Sequence, residues 1–179
     1  IKSGFLMVSW QIIRSMHPFQ FSSHNLAIGP LLGWMPIFSR ICSDIENLQK
    51  GEKNIIRWTQ VKEKTGSLRA RFRVMPLLEE REWQNLRNAA FELCERALNE
   101  SMTTCEICSA PVEPGLEPTG HMVLCRQHSM ARQRDGAAFD EMVRGLVQAE
   151  VQQLRQAGFL GYELSGPPIL PPPHTEQIS

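Results

Sequence analysis

The chain has 179 residues, enough for one ordinary domain with its own apolar core, or a domain with a small appended module. Nineteen basic residues balance nineteen acidic ones, so the chain as a whole carries no bulk charge that would hold it to nucleic acid or a membrane surface. Five cysteines, an odd number, argue against a secreted disulfide framework and for a reducing, cytoplasmic setting.

Residues 1–33 are apolar and irregular. The opening "IKSGFLMVSWQIIR" holds a short apolar patch cut by Gln11 and Arg14. It is neither a signal peptide nor a membrane span, and no later apolar run is long enough to cross a bilayer. The missing initiator Met reads as a processed chain, a tag remnant or a fragment. Turn signals at "SSHN" and "GPLLG" predict an N-terminal arm, extended or with a short strand, packed on the rest. His17 and His24 read as surface or turn histidines.

"MPIFSRICSDIENLQ", residues 35–49, predicts a helix. Pro36 fits the first turn, where a missing N–H costs nothing. Ile37, Ile41, Ile45 and Leu48 recur at helical spacing beside Phe38 and Cys42, and Gly51 is a natural stop. Residues 54–75 predict a β-hairpin around Thr65-Gly66. In its second strand Leu68, Ala70, Phe72 and Val74 alternate with Arg69, Arg71 and Arg73, which places three guanidinium groups on one face. With Lys62 and Lys64 they form a candidate face for phosphates or acidic side chains. The same pattern also describes a solvated outer face, or one paired with the Glu-rich segment that follows. Residues 52–75 hold seven Lys or Arg against two Glu, and residues 76–118 hold three Arg against nine Glu. Trp58 would add an aromatic to the basic face if it lay on that side.

Residues 77–101 predict a longer helix striped by Leu86, Ala90, Leu93 and Ala97, with Glu79, Glu80 and Glu82 at its positive end. Cys42 and Cys94 fall on apolar stripes and read as small buried hydrophobes. A third helix follows over 136–157, capped by Asp135 and stopped by Gly158. The tail "SGPPILPPPHTEQIS" is proline-rich and predicted to be extended.

Between the last two helices lies "CEICSAPVEPGLEPTGHMVLCRQH", residues 105–128. Cys105, Cys108, Cys125 and His128 give Cys-x2-Cys, sixteen residues, then Cys-x2-His. A two-residue gap lets two thiolates of one tight turn face one ion, and Cys3His is a standard structural zinc set. A knuckle at 105–111, a short hairpin allowed by Gly115 and Gly120, and ligands delivered at a helix start make a treble-clef plan, with a zinc ribbon as the rival geometry. Four good ligands close the site to water and substrate, so the expected role of the Zn2+ is structural rather than catalytic. His121 sits on the expected hairpin, where a treble-clef nuclease carries a water-activating histidine, but no acidic neighbour accompanies it. No phosphate-binding glycine loop, nucleophile elbow or His-Glu-x2-His is present.

Four fragments, "GWMPIFSRICSDIE", "QVKEKTGSLR", "ESMTTCEICSAP" and "LCRQH", together resemble a group of small uncharacterised bacterial and phage-associated proteins. That group shares a Gly-Trp-x-Pro helix, a Val-Lys-Glu-Lys-Phe-Gly-x-Leu-Arg hairpin and a Cys-x2-Cys-Gly…Leu-Cys-x2-His/Cys zinc module. The likeness spans roughly 33–128 and implies a zinc-binding protein of unknown role, of a kind often carried on mobile DNA. Two positions depart from the pattern: Thr65 stands where the group has Phe, and Ser109 where it has Gly.

The expected fold is α+β: an arm (1–33), a helix–hairpin–helix domain (34–101), a treble-clef-like zinc module (102–132), a C-terminal helix packed on the domain (133–158) and a proline-rich tail (159–179). The expected function is a zinc-stabilised binding protein without catalytic activity, acting on a protein partner. The alternative is a nucleic-acid-binding protein using Lys62, Lys64, Arg69, Arg71 and Arg73, with a nuclease a distant third.

Overall fold

The computed structural model describes residues 9–49, 55–116 and 121–159. The expectations for Gly51, Gly120 and the tail beyond Phe159 lie outside the described residues. Within them the fold is α+β, with five helices and a three-stranded sheet.

The N-terminal region departs from the extended arm expected of it. Trp10–Met16 form helix α1, with the Ser9 side chain accepting from the Ile12 N–H as its N-cap. The reason is burial: Trp10 and Ile13, one helical turn apart, both enter the core, as do Phe21, Ile28 and Leu31. A two-residue strand β1, Ala27–Ile28, then pairs in parallel with the hairpin. His17 is buried rather than at the surface, with Nδ1 3.4 Å from a Glu46 carboxylate oxygen. His24 is exposed.

A 3-10 turn, Leu32–Trp34, leads into α2, Met35–Leu48, with Pro36 in its first turn as expected. Met35, Ile37, Phe38, Ile41, Cys42 and Ile45 form its buried stripe. Burial pushes the Cys42 thiol well up, and takes that of Cys94 to about 12, so both behave as small hydrophobes.

The hairpin is β2, Ile56–Glu63, and β3, Leu68–Val74, antiparallel, giving sheet order β1-β2-β3. Thr65 (φ 50°) and Gly66 (φ 71°) both lie in the left-handed region, and Lys64 and Ser67 exchange two backbone hydrogen bonds. This is a two-residue type I′ loop, whose twist matches that of the strands it joins. The apolar residues of β2 are spaced two apart and then three: Ile56, Trp58, Val61. A bulge between Trp58 and Gln60 absorbs the extra residue and keeps Trp58 and Val61 on the core side. Trp58 therefore does not join the basic face.

Helix α3 runs Glu80–Ser101, three residues later than the pattern suggested. Pro76 biases Met75 towards an extended backbone, and Glu79 (φ −59°, ψ 149°) serves as the N-cap. Ala90, Leu93, Cys94 and Ala97 face α2 and the sheet. Helix α4, Arg126–Arg134, extends the single turn expected around His128 to nine residues. Asp135 caps α5, Gly136–Gln156, accepting from the Ala138 N–H at 3.0 Å, and Gly158 (φ 76°) follows its end.

One side chain ties the N-terminal region to α5. Glu150, buried, accepts from Trp10 Nε1 and Leu31 N–H at 2.8 Å each and from Leu32 N–H at 2.7 Å. It holds Leu32 at φ 46°, a conformation that an L residue enters at a cost. Burial raises its carboxyl pKa, against the pull of the three N–H donors. Trp10, Trp34, Trp58 and Phe38 form the centre of the main core, each fully inaccessible to solvent. A second, smaller cluster comprises Cys105, Leu124, Cys125, Phe139 and Val143. Helix α5 serves both, its first half packing on the cysteine module and Val151 and Leu154 lying on the faces turned inward further along.

Candidate metal centre

Cys105, Cys108, Cys125 and His128 come together as the sequence spacing predicts, their ligand atoms all within 4.8 Å of one another. Cys105 Sγ lies 3.4 Å and Cys125 Sγ 3.3 Å from His128 Nδ1, and Cys108 Sγ lies 3.8 Å from Cys125 Sγ. The first two ligands sit on a tight knuckle. Thr104 and Pro111 form a β-bridge, Cys105 N–H donates to the Ala110 carbonyl, and Ser109 N–H donates back to Cys105. Ser109 takes φ 62°, in the left-handed region that glycine enters most readily. The second pair stands at the N-terminus of α4, with Cys125 as N-cap and His128 one turn in. The expected knuckle and helix start are both present; residues 117–120 of the hairpin expected between them lie outside the described residues.

The electrostatics suit thiolate ligation. At Cys125 burial opposes ionisation, but the N–H groups of His128 and Gln127 at the helix start and the thiols of Cys105 and Cys108 outweigh it, and the net pKa is lowered. Cys108 is pushed up to about 11, by burial first and then by its neighbouring thiols, so its thiolate needs a cation for company. Desolvation lowers the His128 pKa and keeps the imidazole neutral, the form that binds a metal.

Glu106, Gly33, Trp34 and Gly66, outside the Cys and His set, complete the site, and no pattern in the sequence places them there. Glu106, between the first two cysteines, is buried and grips Val123 twice: its N–H donates to the Val123 carbonyl and its carboxylate accepts the Val123 N–H, both at 2.9 Å. It straps the knuckle to the segment that delivers Cys125. Burial, offset in part by that N–H, raises its pKa to about 8. Gly33 lies against the knuckle from the other side. Its N–H donates to Glu106 O at 2.5 Å, its carbonyl accepts from Ser109 Oγ at 2.6 Å, and an added Cβ would stand 2.5 Å from the Cys105 carbonyl. Trp34 beside it donates from Nε1 to the Thr104 carbonyl at 2.8 Å. At the hairpin tip, a Cβ on Gly66 would meet the His121 carbonyl at 3.0 Å. The Gly-Trp-x-Pro turn, the hairpin tip and the cysteine pairs, separate in sequence, are thus one contact. The signal available in the sequence was the glycines themselves, each next to a bulky or polar residue, in a chain where backbone must touch backbone.

His121 is exposed, and among the described residues no Asp, Glu or second His joins it in a metal-holding group. Arg69, Arg71 and Arg73 are exposed on the outer side of the sheet, and Lys64 lies at the turn. Lys62 stands directly opposite Arg69, and Arg57, which the sequence reading left out, directly opposite Arg73. No helix among the described residues is long and apolar enough to cross a membrane. No family model, curated protein or solved structure matches the chain.

Proposed function

We propose that the chain is a zinc-stabilised binding module in which the metal has a structural role and the work is done by the surfaces it fixes. The observation that carries this reading is the ligand geometry. Zn–S bonds of about 2.3 Å and Zn–N bonds of about 2.0 Å give tetrahedral edges of about 3.8 Å between sulfurs and about 3.5 Å between sulfur and nitrogen. The thiol–thiol distance of 3.8 Å and the thiol–imidazole distances of 3.3 and 3.4 Å fit that tetrahedron. The donor set favours zinc over hard cations, which take oxygen ligands. Four protein ligands leave no position for water or substrate, and three thiolates make the bound ion a poor Lewis acid.

What such an ion supplies is cohesion. The knuckle, the start of α4, the turn at Gly33 and the tip at Gly66 meet around it, so a module with little apolar area of its own becomes a rigid junction. The sequence resemblance adds carriage on mobile DNA to this proposal. Metal analysis of the purified chain is expected to give one zinc per chain, lost in Cys108→Ser. Hydrogen exchange after chelation is expected to show loss of protection over residues 104–134. An unchanged melting profile with the zinc stripped would overturn the structural role.

A further inference from the structure

We propose that the outer face of the hairpin binds the phosphate backbone of double-stranded nucleic acid. Arg57, Lys62, Arg69, Arg71 and Arg73 share this face, in a register that sets Arg57 opposite Arg73 and Lys62 opposite Arg69. Like charges directly opposite on neighbouring strands destabilise a sheet. A fold that keeps two such pairs on one face, with Arg71 opposite Gln60 between them, calls for anions to lie along it. None is supplied from within: among the described residues no acidic side chain forms an ion pair with any of these five cations, although the Glu-rich helix α3 packs against β3. Among the described residues, Arg57 Nε is buried without a hydrogen-bond partner. Edge protection accounts for single charges on an outer strand such as β3, and on β2 where the two-residue β1 does not cover it, but not for cations set directly opposite one another.

The same face distinguishes between anions. Single strands are held by bases stacked on exposed aromatic rings. Here Trp58 is fully buried on the opposite face, and Phe72 packs against it with ring centroids 6.4 Å apart. What remains is a rigid two-stranded ribbon of guanidinium and ammonium groups, a shape that a duplex groove admits and a set of groups that phosphates match. The balanced charge of the whole chain hides this face, because the compensating acids lie on other elements.

The inference rests on the reading of a clamped binding module and is tested on the zinc-loaded full chain, by anisotropy of a labelled mixed-sequence DNA duplex over a salt series. Five engaged cations predict a slope of log K against log salt of about −4.5. Arg69→Gln, Arg71→Gln and Arg73→Gln together are expected to reduce the slope by about 3. The corresponding changes at the exposed Arg81, Arg134 and Arg144 are expected to leave binding in place. Zinc content and melting of each variant show whether the clamp is intact, so failure of this inference is separable from failure of the zinc reading. Absence of salt-dependent binding, a slope unchanged in the first triple variant, equal loss in the second, or tighter binding of single-stranded DNA or polyglutamate than of duplex would each overturn it.

Discussion

The two buried clusters of this molecule are built on different principles. The main core brings three tryptophans and Phe38 out of solvent completely and gathers residues from α1, α2, α3 and the sheet. The smaller cluster has five buried members, two of which, Cys105 and Cys125, belong to the candidate metal centre. Area removed from water, at about 25 cal/mol per Å2 of apolar surface, suffices for the first. The second has fewer apolar members, and on the proposed reading an ion held by the four clustered side chains supplies its cohesion. The two meet at a seam where Gly33 and Gly66 bring backbone against backbone, so the clamp depends on the core for its platform and the core's entry turn depends on the clamp.

Removing the metal breaks the comparison hardest. Structural zinc binding contributes on the order of 10 kcal/mol in small zinc peptides. Chelation is expected to unfold the knuckle and α4 while the tryptophan core keeps its exchange protection and fluorescence. Cys108 is the exposed ligand, so Cys108→Ser should destabilise the zinc-loaded protein severely and the stripped protein hardly at all. Equal losses in the two states would show that the thiol acts through packing.

Gly33→Ala attacks the seam. The new Cβ has no room against the Cys105 and Glu106 backbones, and a cost of about 3 kcal/mol is expected, at the upper end for overpacking. It should also weaken zinc affinity in a competition titration, although Gly33 is not a ligand. A variant destabilised with unchanged zinc affinity would place the seam in the core alone.

Glu150→Ala tests the core without touching the clamp. It leaves the Trp10, Leu31 and Leu32 N–H groups without their acceptor, for a loss of about 2–3 kcal/mol by denaturant melts, with zinc affinity unchanged. The raised pKa fixes the sign of its pH dependence. The native state holds this proton to a higher pH than the unfolded chain does. The contribution of Glu150 to stability is therefore greatest below the ordinary carboxylate pKa and falls as pH rises through the native value. Glu150→Gln should flatten that part of the profile.

Smallest is Thr65→Asn at the hairpin tip. Thr65 is β-branched and sits at φ 50°, where asparagine is better tolerated, so a gain of about 1 kcal/mol in chemical denaturation is expected. A loss would mean that Thr65 makes a contribution beyond its hydrogen bond to the Lys64 carbonyl.

Much of this was legible in the chain. Helical spacing gave α2 and α5 to within a residue or two, and alternation in 68–74 gave β3 its two faces. The cysteine and histidine spacing picked out the four residues whose side chains the fold brings together. Helix α1 was missed because seven residues carry too few turns for a periodicity to show, and its formation depends on a core supplied by distant elements. The β2 bulge reads as a slip in phase and acquires meaning only opposite a partner strand.

By itself the sequence determined what depends on near neighbours: the period of each element, the turn chemistry at Thr65-Gly66, and two ligand pairs whose spacing points each pair at one ion. Tertiary structure decided what depends on approach between distant segments. It placed Glu150 under the N-terminal turn, set Gly33 and Gly66 against the knuckle, and brought Arg57 opposite Arg73. These contacts involve backbone groups, which every residue carries, or charges whose neighbours lie on another strand. No local pattern distinguishes such groups until the fold brings them together.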